Sequence, residues 1–290
     1  ELHVFQRTAP WVLPKPDMDL GDTSKQLIDK LPIIQKSWRK AVATSLNVIN
    51  FGLRNPAALK PVSTAAKQLL RVQVKDKALV KKLTPDYTFG CKRVLISNKW
   101  YPMFNRDNVE LVTAGIREVK ANSVVKEDGV EHEADCIILG TGFVVDPRIY
   151  MKDFPLTGLP GHDLHKDWAK SAEAHYGVTV SGYPNLYMLV GPNTGLGHNS
   201  ILFMIECQVK YILQCMALLR EEGADYLDVK PAAQQAFNDD VQRRLQGTTW
   251  TSGCTSWYQT DTGKNTNNWP GSTLEYRKRT RRLNLVHYAT

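Results

Sequence analysis

The chain has 290 residues, of which 42% are apolar and 23% charged, and a formal net charge of +8. That length holds one large domain or two ordinary ones, and the balance excludes global disorder. The positive charge leaves nucleic acid, an anionic membrane surface or an anionic small molecule as partners. Much of it sits in "YRKRTRRLN", with Arg277, Lys278, Arg279, Arg281 and Arg282. That stretch reads as a solvated basic tail, so no nucleic-acid surface is expected. Five cysteines occur, at 91, 136, 207, 215 and 254, an odd number with no CxxC spacing. They read as reduced, mostly buried thiols of a cytoplasmic protein, with neither a disulfide framework nor a zinc site.

In chain order, "LHVFQRT" reads as a short buried strand followed by polar residues and "APWVLPKPD" as a Pro-rich extended loop. Thr23 to about Val74 has a helical period, interrupted near Gly52 and Asn55-Pro56. "LTPDYTFGCKRVLIS" is rich in turns and leads to a short apolar run, and "NRDNVELV" is a second strand. From Ile116 to Glu133 the pattern alternates around a turn at Glu127-Asp128-Gly129, which predicts a hairpin or small meander. "ADCIILGTGF" predicts a strand buried on both faces that ends in a Gly-Thr-Gly turn, and "YPNLYMLV" predicts another. After "VGPNTGLGHNS" a helix runs from Ile201 to about Glu222, where Gly223 stops it. Glu206, Gln208, Lys210 and Gln214 make this helix a poor bilayer span, so no transmembrane segment is expected. No signal peptide is visible. A chain that begins at Glu1, directly in a strand, reads as a piece of something longer.

Buried strands that each end in a Gly-rich turn argue for an α/β nucleotide-binding architecture, with ligands at the carboxyl ends of the strands. In "VGPNTGLGHNS" such a turn opens a helix, where free backbone N–H groups suit a phosphate or another atom that becomes negative. The alternative is a tight turn needed only for packing. The dinucleotide fingerprint is not matched, because Ser200 stands where the third glycine belongs. Gly140 and Gly142 are likewise two glycines without a third. Gln6-Arg7-Thr8 follow a strand, where a basic residue can hold the 2′-phosphate of NADPH or simply face solvent. Lys92 and Arg93 are adjacent and point to opposite faces, so they would serve different partners. His162 and His165 lie three apart without a third ligand, and no metal site is expected there. His198 reads as a packing or hydrogen-bonding residue. No GxSxG setting for a hydrolase appears.

Five stretches occur in order: "VFQRTAPWVLPKPD", "LTPDYTFGCKRVLISNKWYPMFNRDNVELV", "ADCIILGTGF", "YPNLYMLVGPNTGLGHNS" and "GCTSWYQTDTGKNTNNWPGSTLEYRKRTRR". Together they resemble the C-terminal half of a Baeyer–Villiger-type flavin monooxygenase, from Leu2 to Arg282. The resemblance implies a two-dinucleotide-binding-domain flavoprotein of the Rossmann-like α/β class, here partial and with a helical insertion. It implies that residues 1–135 are the end of the NADPH-binding domain, with the insertion and the meander. Residues 136–290 would be the end of the FAD-binding domain.

It further implies FAD and NADPH as cofactors, O2 and a small-molecule ketone as substrates, and insertion of one oxygen to give an ester or lactone by way of a flavin peroxide. Gln6, Arg7, Thr8 and Lys92 would hold the NADPH 2′-phosphate. Arg93 would be the catalytic arginine beside the flavin, where a fixed cation stabilises developing oxyanion charge. Thr141 and Gly142 fall on the family's Ala-Thr-Gly turn, with Gly140 in place of the alanine. Asn193, Thr194, Gly195 and Leu196 would lie at the flavin's pyrimidine edge, and Trp257 in a mobile loop over NADP. The family's two Gly-rich fingerprints are missing: before Gly90 only Gly21 and Gly52 occur. The expected reading is therefore a truncated monooxygenase. The alternatives are an enzyme that oxygenates nitrogen or sulfur and a non-catalytic remnant.

Overall fold

The computed structural model describes residues 1–17, 19–251 and 254–290, apart from the side chain of residue 48. Strands β1 (Leu2–Phe5) and β2 (Val12–Leu13) come first. Helices α1 (Asp22–Lys30), α2 (Pro32–Arg54), α3 (Lys60–Gln73) and α4 (Lys77–Leu83) follow. Next come β3 (Leu95–Ile96), α5 (Trp100–Met103) and β4 (Val109–Val112), then β5 (Ile116–Val119), β6 (Ser123–Lys126) and β7 (Glu131–Glu133). The remainder holds α6 (Pro147–Tyr150), α7 (Leu164–Asp167), α8 (Ile201–Glu222), β8 (Asp228–Val229), α9 (Pro231–Leu245), α10 (Thr273–Thr280) and β9 (Tyr288–Ala289). Two units form: Glu1–Asp19 with Ala58–Phe143, and Leu20–Ala57 with Val144–Thr290.

In the first unit β1 pairs with β4 and β2 with β3, both in parallel. β5, β6 and β7 make the expected antiparallel meander. Its turn needs the left-handed backbone of Gly129, at φ +87°, which costs glycine little. α3 buries Ala66 and Leu70, one turn apart on one face. Leu70 joins Val12, Val74, Leu83, Tyr101, Phe104 and Leu111 in the core. Asp76 caps α4 by accepting from the Ala78 N–H at 2.7 Å, which settles an otherwise unpaired donor of the first turn.

Two strand expectations fail. "ADCIILGTGF" is irregular, with Ile138 88% and Phe143 95% exposed. A strand needs a neighbour for its backbone groups, and no described strand ladders with this run, so its apolar character alone does not make it one. "YPNLYMLV" is irregular too: Asn185 turns the chain at φ +59° and breaks the extended run.

In the second unit α8 packs on α10, and Gly223 ends α8 in the left-handed conformation, as expected. α8 is long and apolar enough to cross a membrane by length and composition. Its Met204, Cys207, Gln208, Tyr211 and Cys215 are nevertheless buried, so one face of the helix packs within this unit. The basic tail is only partly solvated. Arg277, Lys278, Arg281 and Arg282 are exposed. Arg279 instead reaches Asp240 at 3.0 Å and Glu275 at 2.9 Å, beside Arg244 on Glu275 at 2.7 Å. Both guanidinium groups lie 5.3 Å from the Trp269 ring, a cation–π arrangement that a free tail would not adopt. The thiol expectation holds for Cys136, Cys207 and Cys215, which are free, though Cys136 is exposed. It is corrected for Cys91 and for Cys254, each of which is disulfide-bonded.

Candidate functional site

The first unit gathers two of the expected stretches. β1 ends at Phe5, and the Gln6 N–H extends its ladder by donating to Val112 O at 2.9 Å. The chain then leaves the sheet through exposed Arg7 and half-buried Thr8 toward β2. Lys92 and Arg93 lie just before β3, which runs parallel to β2 with Val12 opposite Leu95. Gln6–Thr8 and Lys92–Arg93 therefore enter the same end of one parallel pair. The Trp11 indole fastens the intervening turn by donating to Tyr87 O at 3.0 Å. Half-buried Lys92 places its ammonium 4.9 Å from the centre of the Tyr87 ring. Arg93 is exposed, and among the described residues no carboxylate pairs with Arg7, Lys92 or Arg93. The Gln6 side-chain oxygen is buried without a partner. Thr141 and Gly142 stand apart from this cluster on the exposed irregular run, with Gly142 at φ +88°.

The second unit builds the loop before α8 with help from distant residues. Val190 adopts φ +57° and Asn193 φ +58°, conformations that cost a β-branched residue most. The Val190 N–H donates to Gln208 Oε1 at 3.0 Å, Gln208 Nε2 donates to the Tyr276 hydroxyl at 3.1 Å, and that hydroxyl donates to Tyr176 O at 2.5 Å. Asn193 is buried, and its amide donates to Asn265 O at 2.9 Å and Asn268 O at 3.1 Å. The N–H groups of Asn193 and Gly195 donate to Thr266 O and Asn267 O, both at 2.7 Å, and Trp269 N returns a bond to Gly195 O at 2.8 Å.

The glycines are explained by this chain itself. A Cβ on Gly195 would sit 2.7 Å from Asn267 O, one on Gly197 3.2 Å from the Trp250 indole nitrogen, and one on Gly191 would overlap Gly177. Thr194 is fully buried and donates to Gly191 O at 2.7 Å, while Leu196 is half-buried. Ser200 precedes α8 without capping it by its side chain.

His198 accepts at Nδ1 from Asn50 Nδ2 at 3.2 Å, the amide orientation being set by Gly271 O, which can only accept. Burial holds its imidazole down to about 4. Trp257 is half-exposed, with its ring 4.3 Å from that of Tyr258. His162 pairs with Asp167 at 2.8 Å while His165 contacts Phe154 O, so the two act separately.

Asn50, Gln208 and the run Asn265 to Asn268 escaped the sequence reading. The "NTNN" cluster was the available signal, since asparagine amides there serve backbone hydrogen bonding. Asn50 meets His198 148 residues away and Asn193 meets Asn265 72 residues away, beyond the reach of any local pattern.

No protein-family model matches the chain. It is 40% identical over 291 residues to a Baeyer–Villiger monooxygenase of Pseudomonas aeruginosa, which covers 99% of this chain and 55% of that protein. A Baeyer–Villiger monooxygenase of Streptomyces coelicolor is also 40% identical, over 295 residues, with 99% and 56% covered. Among solved structures, cyclohexanone monooxygenase from Rhodococcus sp. Phi1 bound to NADP+ superposes with a TM-score of 0.83 at 23% identity, covering 99% of this chain and 62% of that one. An oxidised steroid monooxygenase bound to NADP gives 0.82 at 24% identity, covering 97% and 60%. The fold is thus that of part of an α/β dinucleotide-binding flavoprotein. Over 99% of its length the chain is similar to Baeyer–Villiger monooxygenases, and it corresponds to their C-terminal portion. It spans about half the length of the curated relatives it matches.

Proposed function

We propose that this chain supplies the C-terminal part of an FAD- and NADPH-dependent monooxygenase that inserts one oxygen atom from O2 into a small-molecule ketone. The observation that carries the proposal is 40% identity across 99% of the chain to enzymes of that name. The flavin, when bound, supplies oxygen activation, and the nicotinamide supplies the hydride.

The residues present fit part of each cofactor. A dianionic 2′-phosphate calls for unpaired cations and free donors. Arg7 and Lys92 precede the two strands of one parallel pair and have no carboxylate partner among the described residues. Arg93 is exposed and no carboxylate pairs with it among the described residues, as suits a guanidinium that stabilises an oxyanion. The start of α8, which Ser200 does not cap by its side chain, offers the positive end of a helix to the negative edge of the reduced flavin, with Asn193–Leu196 preceding it in the chain. Thr141, Gly142 and Trp257 are assigned to the turn between domains and to the loop over NADP. Residues 1–135 then belong to the NADPH-binding domain and residues 136–290 to the FAD-binding domain, in a cytoplasmic protein.

The test fuses this chain behind the N-terminal portion of the Pseudomonas relative. With FAD, NADPH and a ketone the fusion should yield ester, and Arg93→Ala should abolish that yield. Undiminished ester from Arg93→Ala overturns the role given to Arg93. Lys92→Ala should raise KM for NADPH about tenfold with little change for NADH, since one charge-assisted contact to phosphate is worth about 1.5–3 kcal/mol.

A further inference from the structure

One side-chain cluster in the first unit serves neither cofactor. β1 and β4 pair in parallel with His3 opposite Glu110, which puts both side chains on one face of the pair. His132 comes from the middle of β7 onto that face, where its ring meets His3 edge-on at 4.6 Å and Phe5 at 5.6 Å. One oxygen of Glu110 lies 2.9 Å from His3 Nδ1 and 3.5 Å from His132 Nδ1. One donor atom from each of the three residues lies within 4.8 Å of the others. His132 is nine-tenths buried, His3 is mostly buried, and Glu110 is half exposed.

A plain ion pair explains this arrangement poorly. For both imidazoles to be cations around one carboxylate, all four ring N–H groups need acceptors. His132 Nε2 is buried and has no hydrogen-bond partner among the described residues. A neutral imidazole is the form that binds a metal. Zinc takes nitrogen and carboxylate oxygen ligands at about 2.0–2.2 Å in a tetrahedral arrangement, which sets donor atoms roughly 3.3 Å apart. The two measured separations, 2.9 and 3.5 Å, bracket that value. Glu1 stands 3.7 Å from His3 Nε2, on the far side of the ring, where a carboxylate can orient a ligating histidine.

We propose that His3, Glu110 and His132 bind a divalent cation of the zinc type, which clips β7 of the meander to the β1–β4 pair. Two imidazole nitrogens and one carboxylate oxygen favour zinc over calcium or magnesium, which take oxygen ligands.

The experiment needs no flavin. The chain is stripped with a chelator and titrated with Zn2+ by calorimetry, and separately with Co2+ by visible absorption. The expected result is one Zn2+ per chain, a rise in Tm on binding, and intense d–d bands of four-coordinate Co2+. His3→Gln and His132→Gln should each weaken binding at least tenfold, whereas His162→Gln at the separate His162–Asp167 pair should leave it unchanged. Absence of stoichiometric binding by the unsubstituted chain overturns the proposal. So does binding that is equally tight in the properly folded His3→Gln and His132→Gln variants. The Co2+ spectrum of the unsubstituted chain decides the matter if either variant fails to fold.

Discussion

Two glycine-bearing turns look alike in the sequence and differ in every physical respect. Around Gly140 and Gly142 an added Cβ would meet nothing within 4 Å. Around Gly177, Gly191 and Gly195 it would strike neighbouring backbone or side-chain atoms of the same unit. The first turn lies on an exposed run without a ladder. The second is gripped by Asn265–Asn268, Gln208 and Tyr276. A small residue therefore has at least two meanings, space left open and space already taken, and only the partners distinguish them.

The largest effect that can test this contrast is acid. Burial is the main cause holding the His175 imidazole down to about 3 and the only one holding His198 at about 4, with His287 adding to the effect at His175. Both folded values lie below the unfolded value of about 6.5, so the unfolded chain takes up these protons first. The stabilisation is complete above pH 6.5 and is lost as pH falls toward the folded values. By pH 5 each histidine should remove about 2 kcal/mol, read as a lower urea midpoint than at pH 7. A flat profile from pH 7 to 5 would break the picture of a closed region.

Gly177→Ala ranks next. Its φ of +65° strains any other residue, and the new Cβ would overlap the Thr194 methyl group with Pro192 O at 2.9 Å. A loss of about 3 kcal/mol in denaturant titration is expected. Gly195→Ala meets Asn267 O at 2.7 Å without the backbone penalty, and should cost about 2 kcal/mol. Gly140→Ala should change stability by less than about 0.5 kcal/mol in this chain. Equal losses from Gly140→Ala and Gly195→Ala would erase the distinction.

Much of the frame was legible from local pattern. β1, β4, the meander with Gly129 and α8 with Gly223 all follow from period and turn residues. "ADCIILGTGF" was misread because apolar runs report a tendency to be buried, whereas a strand also requires a partner for its N–H and C=O groups. At the site, the placement of Gln6–Thr8 and Lys92–Arg93 at one end of β2–β3 depends on parallel register, which no window of sequence contains. The grip on Asn193 and the meeting of His3 with Glu110 are hidden for the same reason, since each joins residues dozens of positions apart.

The uncovered run from Ile137 to Val144 has a consequence for handling the protein. It contains no proline and no charged residue, and Ile138, Leu139 and Phe143 are exposed on it. Two copies meeting there could each complete the other's ladder, and a third could add to the second. Pairing of that kind rises with concentration and needs no unfolding, so dilution is the first handling condition to vary.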